Sequence, residues 1–127
     1  MAFEGLNKAI LIGRLEGDPH FRMTRGGKPR LWLRLHTVET VPDGEGSIRD
    51  RQAWHSIVVW GKRAESLVSM LRAGRRIAVE GRLVNRSWDG ADGRRRHETE
   101  VHARRLVLLD GPASAESREP PPERDAA

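Results

Sequence analysis

The chain of 127 residues has no cysteine and no tyrosine. Without thiols it can form no disulfide, no thiolate metal site and no cysteine nucleophile, and it suits a reducing compartment. Lysine is scarce: Lys8, Lys28 and Lys62 are the only three, so arginine carries the positive charge. No stretch approaches the roughly 18 apolar residues that span a bilayer, which points away from a membrane. MAFEGLNK at the N-terminus carries an acid and no apolar core, unlike a secretory signal. It also lacks the Arg-rich amphipathic character of a transit peptide, so a cytoplasmic protein is expected. Large rings are few, two Phe and four Trp.

What is present is basic. Residues 1–110 hold 21 basic and 14 acidic side chains, a net +7, while residues 111–127 hold 2 and 4, a net −2. A basic body suggests a polyanion partner; a merely soluble basic surface is the plainer alternative. The length fits one domain that can bury a core unaided.

Residues 6–17, LNKAILIGRLEG, read as a strand, with Gly13 marking a bulge or sharp curl. DPHFRMTRGGKP reads as a connection whose Gly26-Gly27 is a turn signal. RLWLRLHTVET, residues 30–40, alternates: Leu31, Leu33 and Leu35 face a core, and Trp32, Arg34 and His36 face away. Residues 41–50 read as a loop and 51–60 as a third strand. Period 2 places Trp54, Ser56, Val58 and Trp60 on one face of it, and His55, Ile57 and Val59 on the other. Residues 62–72 switch to helical spacing through Ala64, Leu67, Val68 and Leu71, with Gly74 as the expected C-cap. Residues 75–88 predict a fourth strand with Ile77, Val79, Gly81 and Leu83 inward and Arg82, Arg86 and Trp88 outward. DGADG at 89–93 predicts a hairpin into a fifth strand, Arg95 to Leu109.

This order implies an all-β protein: a five-stranded OB-fold barrel with one short helix between strands 3 and 4. Other small mixed barrels share much of the pattern. Residues 1–110 form the expected domain. The remainder, 111–127, carries four prolines and no periodicity, and is expected to be a disordered tail.

Trp54, Trp60 and Trp88 share a parity with polar or basic neighbours, Ser56, Arg82 and Arg86, and Trp32 lies beside Arg34. Rings flanked by arginines make a platform on which the bases of a single strand can stack. A lone tryptophan is more often core or interface; four in this arrangement favour the platform. The five histidines show no helical metal spacing. Asp89, Asp92, Glu98 and Glu100 surround one hairpin, as a nuclease might require for a metal, but Asp-Gly turn chemistry explains the first two. Neither a catalytic residue nor a cofactor or metal is expected.

The segments LNKAILIGRLEGDPHFR (6–22), QAWHSIVVWGKRAE (52–65) and LRAGRRIAVEGRLVNRSWDGADGRRRHETEV (71–101) together resemble the bacterial single-stranded DNA-binding proteins. The resemblance spans residues 6–109. It implies an OB-fold that assembles as a homotetramer, or in one relative a dimer, and wraps single-stranded DNA in replication, recombination and repair, at the nucleoid. It also implies stacking roles for Trp54, Trp60 and Trp88, DNA contacts for Lys62, Arg86 and Lys8, and a subunit contact for His55. Four features depart from the family pattern. Val41 and Met23 stand where aromatics are frequent, and Trp32 is unusual at its site. The family's acidic tail with an aromatic tip, which docks replication and repair proteins, is replaced by EPPPERDAA. That favours an accessory paralogue over the main replication protein. The runner-up is an adaptor like the primosomal relative, acting through protein partners; an RNA-binding OB protein and a nuclease follow.

Overall fold

A computed structural model describes residues 4–110. Among them are six strands and one helix: β1 (Ala9–Leu15), β2 (His20–Met23), β3 (Pro29–Pro42), β4 (Ile48–Trp60), α1 (Lys62–Val68), β5 (Arg76–Asp89) and β6 (Arg95–Leu108). The hydrogen-bonded order is β1-β5-β6-β4-β3-β2, and β1 also pairs with β3. That last pairing closes a five-stranded barrel.

β2, HFRM, lies in the segment read from sequence as a connection. It does not add a sixth stave. One edge of β3 carries β4 along its whole length; the other carries β2 at residues 29–32 and β1 at 35–36. β1 and β2 therefore act as one strand, interrupted at Gly17, whose φ is +80°, and the following Asp-Pro. The Gly26-Gly27 turn closes a β2–β3 hairpin through Thr24 N–H to the Lys28 carbonyl at 2.9 Å.

Two glycines permit the curl that closes the barrel. A Cβ at Gly13 would overlap the carbonyl oxygen of His36, where β1 crosses from β5 to β3. A Cβ at Gly81 would overlap the carbonyl of His102, at a register shift between Glu80 and Gly81. Larger residues would hold these backbones apart.

The core is the predicted leucine face of β3, Leu31, Leu33 and Leu35, packed on Ile57 and Val59 of β4, Ile77 and Val79 of β5, and Val101 of β6. Ala64 of α1 and the nearby Leu71 cover one end. Each buried Leu, Ile or Val side chain stabilises the fold by about 1.5–3 kcal/mol.

Three expectations change. Half of residues 41–50 are strand: β3 and β4 stay paired out to Pro42 and Ile48, leaving a tight turn in which the Asp43 carboxylate accepts from Glu45 N–H at 2.8 Å and Ser47 N–H at 3.2 Å. The helix stops at Val68, and Gly74 is not its C-cap. Instead Gly74 N–H donates to the Leu15 carbonyl at 2.8 Å, in the turn entering β5. Ser66 and Ser69 within this stretch spend hydroxyl bonds on nearby carbonyls, and so short a helix has little cooperativity to extend itself. Leu83 follows the inward parity yet is 46% exposed: β5 loses its β1 partner beyond Gly81, while Val101 opposite stays buried and paired with β4. The segment 111–127, expected as a tail, lies outside the described residues.

Candidate nucleic-acid interface

Strand register sets out one outer surface as a grid. Across β3 and β4, Arg30 lies opposite Trp60, Trp32 opposite Val58, Arg34 opposite Ser56 and His36 opposite Trp54. β4 continues in parallel to β6, with Ser56 opposite Glu100 and Val58 opposite His102. β6 then meets β5, with His102 opposite Arg82, Glu98 opposite Arg86 and Arg96 opposite Trp88. All four tryptophans, with Arg34, Arg82 and Arg86, therefore share one face. The register of three strand pairs brings them there.

Each tryptophan has a cation or imidazole beside it. His36 stacks on Trp54 at 4.9 Å between centroids and 18° between planes. His20 tilts against Trp32 at 5.5 Å. The Arg86 guanidinium lies 4.2 Å from the Trp88 ring centroid, and Lys28 Nζ lies 5.0 Å from that of Trp60. Such cation–π contacts hold a ring and its charge together. Trp54 Nε1–H also donates to Glu16 Oε1 at 2.7 Å, which fixes the ring while leaving it 45% exposed.

A buried acid organises the centre. Glu100 is 1% exposed, although it lies on the outer parity. Its Oε2 accepts from Arg86 Nε at 3.0 Å and Arg30 Nη2 at 3.3 Å, and its Oε1 from His102 Nε2 at 3.0 Å. Trp60 Nε1–H donates to His102 Nδ1 at 3.2 Å. An indole nitrogen can only donate, so Nδ1 is the acceptor and the proton sits on Nε2, facing Glu100. One carboxylate thus sets the direction of two arginines and, through an imidazole, of a tryptophan. Ser56 Oγ–H donates to Glu98 alongside. Val58 is fully buried beneath this layer, which explains an apolar residue on the outer face.

Other expected residues fall elsewhere. Lys8 precedes β1 and pairs at 3.1 Å with Glu80, two residues before Arg82 on β5, and its hydrogen bond and charge lower the Glu80 pKa. Lys62 opens α1, two residues after Trp60. His55 is half-buried on the opposite side of β4, and its Nε2 hydrogen-bonds Thr37 Oγ1 at 3.0 Å. Burial and the nearby Arg34 charge lower its pKa, with Glu39 opposing. The four acids around the β5–β6 hairpin divide. Asp89 and Asp92 pair with Arg95 and Arg96 at 3.0 Å each, while Glu98 and Glu100 belong to the tryptophan face.

Sequence reasoning missed Lys28, Arg30, Glu98, Glu100 and His102 as parts of this surface. The alternation of Glu98, Glu100 and His102 was visible. Their pairing with β4 was not, because a parallel contact between residues 44 positions apart leaves no local trace.

This closed barrel, with its short helix between β4 and β5 and an aromatic and basic face, is an OB-fold of the kind that holds single strands. Comparison with known proteins agrees. The chain matches the single-strand binding protein family model over residues 6–109 and belongs to that family. It is 42% identical over 106 residues to single-stranded DNA-binding protein 1 of Chlorobaculum tepidum, covering 83% of this chain and 65% of that protein. It is 35% identical over 105 residues to single-stranded DNA-binding protein 1 of Xylella fastidiosa, covering 82% and 77%. Among solved structures, the Plasmodium falciparum protein in complex with single-stranded DNA superposes with a TM-score of 0.76 at 31% identity, covering 87% of this chain and all of that one. A deletion mutant of the Thermus aquaticus single-stranded DNA-binding protein gives 0.76 at 34%, covering 84% and 52%. The chain thus spans about two thirds, 65%, of the length of the first curated relatives it matches.

Proposed function

We propose that this protein binds single-stranded DNA largely irrespective of sequence and protects it during replication, recombination and repair. The observation that carries the reading is the shared face of Trp32, Trp54, Trp60 and Trp88, interleaved with Arg30, Arg34, Arg82 and Arg86. Bases stack on the rings, each worth about 1–3 kcal/mol. Arginines, with Lys62 at the rim, neutralise phosphates, which makes binding fall with salt. No catalytic step is needed. The names of the relatives support DNA binding over an adaptor role.

The working form is a homo-oligomer, a tetramer by analogy with the family, in the cytoplasm at the nucleoid. Support comes from a second outer surface, where Ile10 and Ile12 are 67% and 59% exposed. In register, Ile12 lies opposite Ala78, and Ala78 opposite Val107, so the apolar side chains form a row. A second copy is the occupant that suits a row ending in the Lys8–Glu80 pair, which is self-complementary in charge. His55 contributes at the subunit contact. Residues 1–110 are the DNA-binding unit and 111–127 an appended tail.

Titration with oligo-dT, followed by tryptophan fluorescence alongside a mass measurement at two salt concentrations, tests both parts. Quenching at low salt that reverses at high salt is expected. No quenching at low salt would sink the DNA-binding reading; a monomeric mass would sink the oligomer.

A further inference from the structure

The outer face contains a cleft of about 410 Å³, lined by His20, Phe21, Arg22, Arg30, Trp32, Arg86 and Glu98. A uniformly basic cleft would suit a phosphate. Glu98 does not: a carboxylate repels the backbone of a single strand, and of the groups an internal deoxynucleotide carries only base donors suit it. Its Oε2 already takes the Ser56 hydroxyl, leaving Oε1 with no partner among the described residues. Arg30 and Arg86 are both held by Glu100, whereas Arg22 has no ion-pair partner among the described residues. The cleft therefore offers an aromatic wall, a free arginine and an acceptor in one place.

We propose that this cleft is a single-nucleotide subsite that favours guanine. The base lies on Trp32, the phosphate meets Arg22, and Glu98 accepts from the base edge. Guanine presents two adjacent donors there, N1–H and the N2 amine, which match a carboxylate. Its O6 and N7 accept from an arginine, the commonest specific base contact. Cytosine and adenine offer one amine each. Thymine offers only an imide N–H between two carbonyls, which the carboxylate repels. The proposal rests on the DNA-binding reading above and adds a base preference at one position of an otherwise tolerant face.

The test uses the full chain and three strands of equal length: oligo-dT, oligo-dT with isolated guanines at regular intervals, and the same strand with inosine for guanine. Isolated guanines avoid folded G-rich structures. Inosine stacks as a purine but lacks the N2 amine. The guanine strand is expected to compete about fivefold or more better than oligo-dT, and better than the inosine strand. E98A should bind oligo-dT more tightly, since a negative charge is removed, and lose the difference between guanine and inosine. Equal binding of guanine and inosine strands by the natural chain overturns the proposal, because stacking alone then explains any purine preference. So does a guanine preference that survives in E98A. Failure to bind any of the three strands would instead overturn the DNA-binding reading itself.

Discussion

The barrel has two outer surfaces with opposite chemistry. On β3, β4, β6 and the hairpin half of β5, the outer parity carries tryptophan, arginine and histidine over a buried Glu100. On β1, the barrel half of β5 and the end of β6, it carries Ile10, Ile12, Ala78 and Val107. Both are "outside" by strand alternation. The first is polar yet partly closed over, to the point that Val58 is fully buried; the second is apolar yet open. Polarity alone therefore does not tell exposure. The difference teaches that a polar layer can cover apolar residues when its charges are tied to each other, and that an uncovered apolar row marks a candidate contact surface.

The largest expected effect separates the two surfaces. I12D places a charge in the apolar row and should reduce the assembly to smaller species by light scattering. Tryptophan quenching by a short oligo-dT should persist, because the stacking face lies elsewhere on the barrel. Loss of both in a folded variant would mean that the surfaces are not independent.

Next is the buried acid. E100A leaves two arginines and an imidazole without their acceptor. Charge-assisted hydrogen bonds are worth about 1.5–3 kcal/mol each, and the arginines are partly solvated, so a loss of about 2–3 kcal/mol is expected in urea melts. A variant as stable as the natural chain would show that the network does not support the face.

Third are the rings. W54A and W88A should each weaken oligo-dT binding by about 1–3 kcal/mol while leaving the melting midpoint nearly unchanged. If both bind normally, the platform has been assigned to the wrong surface. Arg86 should act more weakly. Its Nε is committed to Glu100 and its plane to Trp88, so R86A removes at most one phosphate contact. The slope of log affinity against log salt should fall by about 0.7.

The smallest effect concerns His55, on the side of β4 away from the tryptophans. Its folded pKa lies below the ordinary 6.5. The unfolded chain therefore binds the proton first as pH falls, so stability is full above the ordinary value and declines as pH drops through the folded one. Urea melts at pH 7.5 and 5.5 should show this slope, and H55Q should flatten it.

Much of the architecture was legible locally. Alternation in RLWLRLH and SIVVW separated core from surface, and those leucines, Ile57 and Val59 are in the core. The Asp-Gly turn at 89–93 was read correctly. Misreadings arose where local signals were outweighed. HFRM looked like a loop beside Asp-Pro, but β3 offered it an unpaired edge. VPDGEGSIRD looked like a loop because its turn residues are dense, yet a long hairpin needs only five of them at the tip. Leu83 kept the right parity but lies past Gly81, the last β5 residue that β1 covers.

The sequence by itself determined most of the side chains that face inward, that the chain curls at Gly13, and that tryptophan and arginine share a parity. These are consequences of strand period and of a missing Cβ, both readable one segment at a time. Only the tertiary structure decided that the four rings meet on one surface, that Lys8 pairs with Glu80, and that Glu100 ties Arg30, Arg86 and His102 together. Those contacts join residues up to 70 positions apart, and barrel closure sets their register, which no local pattern encodes.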